Sequence, residues 1–266
     1  MAFSPQDAAG RQAPAAPRAR YALLDELRGL NLISMIGYHA MWDYVYLLGA
    51  PSSVALWYMG WQGVLWQQCI CWIFILLSGF CVPFGRHTLR RGGEVFAAGA
   101  LVTAVTVLVV PEVAVWFGVL TLLGSAMLLT GLLAPVLRRI PPAAGAAVCA
   151  LLFALSYHIS AGYLGLGPWR LALPRGLYAN YLTAYLGFCP QGFFSTDYFP
   201  LLPWVFLFWA GYFLHALVGR ARMEPLRRSV CPPLGWVGRH SLLIYLLHQP
   251  ALYALAYGVS YLRLIL

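Results

Sequence analysis

Two histidines and an aspartate stand inside long apolar stretches, where an ionisable group carries a high desolvation cost and so marks a candidate site. In LDELRGLNLISMIGYHAMWDYVYLLG, Arg28 and His39 are eleven residues apart, which on a helix brings them to within about 20° of each other. Asn31, Met35 and Asp43 continue the same stripe. At ~1.5 Å per residue His39 lies ~16 Å above Arg28, near the middle of a bilayer. A neutral imidazole there is suited to general-base work, and Asp43, one turn on, is placed to orient it. The plain alternatives are a histidine bonded for packing and an interfacial carboxylate. Arg28 suits the phosphate or pyrophosphate of a cofactor, or it anchors the helix end at the membrane surface.

A second stripe lies near the carboxyl terminus. In LGWVGRHSLLIYLLHQPALYALAY, His240, Ile244 and His248 follow at four-residue steps on one face. His248 is nine residues beyond Arg239, so it falls at nearly the depth of His39 if both helices start at the same surface, and the two could form one site. Pro250 removes a backbone donor just beyond His248, freeing a carbonyl group for a ligand or water, and Gln249 beside it is a candidate substrate contact. FILLSGFCVPFGRHTLRRGG supplies Ser78 and Gly79, a small pair that permits close approach of a helix or ligand. Its Arg86 and Arg90, four apart, either grip one anion together or form a stop-transfer cluster. In STDYFPLLPW, Asp197 and Tyr198 either bind an amine or sugar hydroxyl or cap the helix that follows. Gln62, Gln67 and Gln68 line an acceptor pocket or bond within the bundle. Glu112 and His158 are expected to face solvent. The six cysteines lie mainly inside apolar runs; Cys69 and Cys71 point to nearly opposite helix faces, and no metal site is expected.

These residues need a scaffold, and composition says which. The 266 residues are 61% hydrophobic and only 9% charged, too few charges to cover a soluble surface, and the mean hydropathy is +0.73. A soluble domain, a disordered chain, a coiled coil and a secreted disulfide scaffold are all excluded. The +9 charge would suggest nucleic acid in a soluble protein; here every basic residue is arginine and the arginines cluster in loops, so nucleic acid is not an expected partner. Residues 1–20 read as a flexible basic tail and 21–266 as the membrane domain. Seven stretches are long enough to span the bilayer: roughly 29–48, 60–82, 95–111, 115–134, 142–160, 201–219 and 240–262. Fourteen arginines fall on one side, against Arg170, Arg175 and Arg263 on the other. The amino terminus is therefore expected in the cytoplasm and the carboxyl terminus outside. The long outer loop, 161–200, carries GLYANYLTAYLGF, read as an interfacial or re-entrant helix, an aromatic belt or substrate lid. The expected fold is an all-α, polytopic bundle of about seven transmembrane helices. Its oligomeric state stays open, a homodimer included.

Taken together, LDELRGLNLISMIGYHAMWD, FILLSGF, FGVLTLLG, DYFPLLPW and LGWVGRHSLLIYLLHQP resemble the bacterial heparan-α-glucosaminide N-acetyltransferase catalytic-domain-like family of transmembrane acyltransferases, over residues 21 to 260. The spacing of Arg28 and His39 is also similar to that of membrane O-acyltransferases, whose usual ten spans exceed this chain. The resemblance implies a multi-pass protein of a bacterial plasma membrane. It implies an enzyme that takes acetyl groups from cytosolic acetyl-CoA and gives them to an extracytoplasmic carbohydrate or amine. His39 matches the motif histidine; in FGVLTLLG, Thr121 stands where many relatives have His. On this reading Arg28, Asn31, Ser78, Arg86, Arg90 and Arg239 bind acetyl-CoA, His39, Asp43 and His248 are catalytic, and Gln67, Asp197, Tyr198 and Gln249 meet the acceptor. A proton-coupled transporter using the same buried groups is the alternative, though no internal repeat supports it.

Overall fold

The computed structural model describes residues 20–265; the tail expected over residues 1–20 lies outside them apart from Arg20. The described residues form α1 (Ala22–Tyr46), α2 (Ser52–Met59), α3 (Trp61–Cys81), α4 (Thr88–Val109), α5 (Val119–Leu132) and α6 (Ala134–Leu137). These are followed by α7 (Pro142–Ser156), a hairpin of β1 (Tyr163–Leu166) and β2 (Trp169–Ala172), α8 (Tyr181–Leu186), α9 (Leu201–Arg222), α10 (Pro232–Arg239) and α11 (Ser241–Ile265).

The seven apolar stretches correspond to α1, α3, α4, α5, α7, α9 and α11, but five of these helices (α3, α4, α7, α9, α11) are both long and apolar enough to cross a membrane. The other two differ for separate reasons. α1 has the length, 25 residues, but its polar stripe dilutes its apolar content. α5 has the composition but only 14 residues, a rise of ~21 Å against a hydrocarbon layer of ~30 Å. It is also the innermost element: Leu122, Leu123, Ala126 and Met127 pack with Ile75 of α3, Phe153 of α7 and Trp204, Val205 and Phe208 of α9.

Two close crossings fix how the helices stand. A Cβ at Gly79 would fall 1.9 Å from the Phe208 carbonyl oxygen, and one at Gly211 would fall 2.0 Å from that of Leu76, so α3 and α9 meet backbone to backbone. α1 meets α10 the same way, through Gly29 against Leu234 and Gly238 against Asp25. Beyond α10 the chain breaks at His240, whose Nδ1 bonds to the Trp236 carbonyl, and α11 begins. His240 therefore closes α10 and does not share a continuous helical face with His248, as the four-residue step suggested. α11 then runs parallel to α1: His248 meets His39 and, further along, Arg263 donates to the Leu48 carbonyl.

The fold departs from all-α in the long loop. YLGLGPWRLA forms the β hairpin, with Leu164 opposite Leu171 and Leu166 opposite Trp169, so four apolar side chains share one face. The turn is made at Gly167, whose φ of 57° suits glycine, before Pro168. The helix expected in GLYANYLTAYLGF is there but short: an Asn180–Thr183 capping box starts α8 and Gly187 ends it after six residues.

Candidate active site

The first and last long helices bring the two buried histidines together. The rings of His39 and His248 lie 4.9 Å apart between centroids, tilted by 58°. The depth argument from the two arginines thus holds. His39 also meets Tyr38 edge-on and makes no hydrogen bond among the described residues. His248 Nδ1 donates to the Tyr245 carbonyl at 2.5 Å. Close to the pair on these two helices, His248 Nε2, Gln249 Oε1 and both carboxylate oxygens of Asp43 are buried without a hydrogen-bond partner; Asp43 is 3% exposed. The orienting bond from Asp43 to His39 is not made. Tyr253 lies within electrostatic reach of Asp43 and close to Gln249, which places these polar groups along the same seam of α1 and α11. All four unpartnered atoms are acceptors, each worth ~1–3 kcal/mol if left unmatched, so the site is complementary to a ligand that brings N–H or O–H donors.

Asp197 forms the edge of this site. Its Oδ2 accepts the Val119 N–H at 3.1 Å and the Tyr245 hydroxyl at 3.0 Å, so it caps α5 rather than the helix that follows it in sequence. It also acts electrostatically on His248. Burial pushes its carboxyl above the usual range, opposed by those hydrogen bonds. Tyr198, next to it, instead braces the long loop: its hydroxyl donates to the Ala184 carbonyl and accepts from Cys189 Sγ. Gln67 is exposed, whereas Gln68 accepts from Trp72 and from Tyr157 of the α7 end and so ties α3 to its neighbour. Glu112 and His158 are exposed, as expected.

At the amino-terminal end of α1, Asp25 accepts from both Arg20 (2.7 Å) and Arg28 (3.0 Å), and Glu26 accepts from Ser229 and the Val230 backbone. The Ser229 hydrogen bond holds the Glu26 carboxyl below its ordinary value. Neither acid was singled out in the sequence, where both look like rim charges. Asn31 is buried and donates to the Ile70 carbonyl at 3.1 Å, a brace between α1 and α3. Ser78 is half-buried on α3, and Arg239 is exposed at the end of α10. Arg86 and Arg90 do not form the pair their spacing suggested. The helix stops at Cys81, His87 takes a left-handed conformation, and α4 starts afresh, leaving Arg86 exposed in the turn and Arg90 paired with Glu94 at 2.9 Å. Arg91, from the same arginine cluster, packs against Gly85 and, with Arg28, lies within electrostatic reach of Cys81. Thr121 faces α4, with its Oγ1 only 2.7 Å from where a Cβ on Gly99 would stand, so that contact leaves little room for a larger side chain.

A cavity of about 660 Å³ opens elsewhere, beneath the hairpin among Leu152, Leu164, Leu171 and Phe206. Its lining is mostly apolar and holds no imidazole or carboxylate.

Fold and site together define a helical membrane protein with a pair of histidines buried between its first and last long helices. More closely, the chain belongs to the family described as heparan-alpha-glucosaminide N-acetyltransferase, catalytic, whose model it matches over residues 20–250. The family makes it a membrane acetyltransferase. Neither the curated proteins nor the solved structures yield a match to the chain.

Proposed function

We propose that this protein takes an acetyl group from cytosolic acetyl-CoA and transfers it to an amine or hydroxyl of an extracytoplasmic, sugar-containing acceptor. The observation that carries the reading is the histidine pair at 4.9 Å beside unmatched buried acceptors, in a member of an acetyltransferase family. Acetyl-CoA enters at the amino-terminal end of α1. Arg28, with Arg86 and Arg239 exposed on the same rim, receives its phosphates. Arg90 joins only by leaving Glu94. Asn31 and Ser78 lie on the way up, Asn31 as a brace that keeps α1 against α3. The thioester reaches the histidine pair, ~16 Å along α1 from Arg28.

There the acceptor's donors are matched by Asp43, Gln249 and the free imidazole nitrogen. One histidine takes the proton as the acceptor's nitrogen or oxygen attacks the acetyl carbon. Asp197 stands at the acceptor side. The parallel course of α1 and α11 supports termini on opposite faces, and α1 and α5 complete seven crossings with the five longer helices. The arginine distribution then puts the amino terminus in the cytoplasm of a cell membrane.

The first test needs no acceptor: acetyl-CoA titrated into the detergent-purified protein, with Arg28→Ala beside it. Saturable binding weakened at least tenfold by the substitution is expected. Well-folded protein that neither binds acetyl-CoA nor releases CoA when offered envelope sugars overturns the reading, and proton-driven uptake in proteoliposomes is then measured instead.

A further inference from the structure

The mechanism above leaves two histidines and one proton to take. Only one of the two rings has its tautomer fixed. A backbone carbonyl can only accept, so the hydrogen bond from His248 to the Tyr245 carbonyl requires the proton on Nδ1 and leaves the lone pair on Nε2. That Nε2 is one of the buried atoms without a partner. His39 has ring contacts but no such bond. The same residue that holds His248 by its backbone also holds Asp197 by its side chain, through the Tyr245 hydroxyl at 3.0 Å. Asp197 is held from the opposite direction by the first N–H of α5, where the positive end of the helix dipole favours a carboxylate.

From this geometry we infer that His248, through Nε2, is the base of the pair, and that Tyr245 and Asp197 are its positioning residues. The inference rests on the acetyl-transfer reading and deepens it. In the step, the acceptor's N–H or O–H proton passes to His248 Nε2 while its nitrogen or oxygen bonds to the acetyl carbon. The C–S bond breaks, CoA leaves as thiolate, and the imidazolium returns the proton to it, so that free CoA thiol and neutral His248 are restored. During the step the positive charge on His248 is compensated by Asp197, which is held in place by Tyr245 and by the amino terminus of α5. His39 packs against the reacting ring and shapes the space in which the acceptor is held.

Tyr245→Phe tests this because it removes one hydroxyl and leaves the backbone carbonyl in place. Acetyl transfer is followed as CoA release in the presence of the envelope sugars offered above. A fall of kcat by 10- to 100-fold is expected, with the KM for acetyl-CoA and the melting temperature unchanged. A structural role alone would move the melting temperature and leave kcat. The second readout requires no turnover: ¹⁵N NMR of histidine-labelled protein, with the His248 signal identified by its loss in His248→Gln, is expected to show a protonated Nδ1 and a bare Nε2. Wild-type transfer with unchanged kcat in Tyr245→Phe, or a His248 protonated on Nε2, overturns the inference while leaving the acetyltransferase reading intact. Absence of transfer by the wild type overturns the reading itself, and with it the base role.

Discussion

Asp43 shows how much of the chemistry turns on single side chains. A carboxylate 3% exposed with neither oxygen bonded is a cost the folded protein carries, and such costs collect at functional sites. Asp43→Asn is therefore expected to raise the melting temperature by about 2–4 °C while cutting kcat/KM for the acceptor at least tenfold. Loss of both stability and activity would mean that Asp43 is structural. His248→Ala should reduce acetyl transfer by about 10²–10⁴-fold and His39→Ala by less, with helix content in circular dichroism preserved; full activity in either removes that histidine from the mechanism. At this scale the sequence was readable where one helix carried the argument. Arg28 to His39 is a spacing along one helix, and periodicity placed that imidazole; Arg239 to His248 crosses the break at His240, and there it was the residue count that brought the two rings to one level. It failed where a side chain answers to another element. Nothing near Asn31 announces the Ile70 carbonyl 39 residues away, and nothing in STDYF says that Asp197 caps α5.

Among the elements, α10 is the one whose attachment can be tested most directly. Its contact with α1 admits no side chain, since a Cβ at Gly238 would lie 1.8 Å from the Asp25 carbonyl oxygen. Gly238→Ala should cost about 1–3 kcal/mol, read as a lower melting temperature in detergent. An unchanged value would show that the two helices part easily. The linker ahead of α10 is fastened by Glu26, whose pKa is lowered from 4.5 mainly by the Ser229 hydroxyl. A lowered folded value means that the fastening stabilises above the ordinary glutamate range and is lost as pH falls through the lowered value. Protease cleavage between Arg222 and Cys231 should accordingly increase with acidification below 4.5, and Glu26→Gln should show the same increase at pH 7. Equal cleavage of wild type and variant at pH 7 would refute that role. Helix interruptions were the hardest feature to read at this scale. The left-handed His87 and the break at His240 interrupt the four-residue spacings read across them, and they separate Arg86 from Arg90 and His240 from His248.

For the molecule as a whole, seven helical segments could be located by apolarity alone, but not which of them have the length and composition to cross. That depends on α5 being buried by its neighbours, which lets a helix of 14 residues stand among longer ones. The hairpin escaped notice because two four-residue strands leave almost no periodicity. The arginine distribution predicts a fixed outcome for reporter fusions: a fluorescent protein joined after residue 222 should fluoresce, and alkaline phosphatase joined after residue 265 should be active. The reverse result would invert the topology and the side from which acetyl-CoA arrives.

The pairing of α1 with α11 also bears on how the protein is made. Some 200 residues separate His39 from His248, so the first helix leaves the ribosome long before its partner exists, and the loop to be closed is nearly the whole chain. Through most of synthesis α1 carries Asp43 and His39 without the helix that will cover them, in a lipid that disfavours both. Its insertion must await or borrow protection, and a chain that stalls before residue 248 has no centre at all. However early α1 is made, the two histidines of this fold meet only once the chain has been built past residue 248.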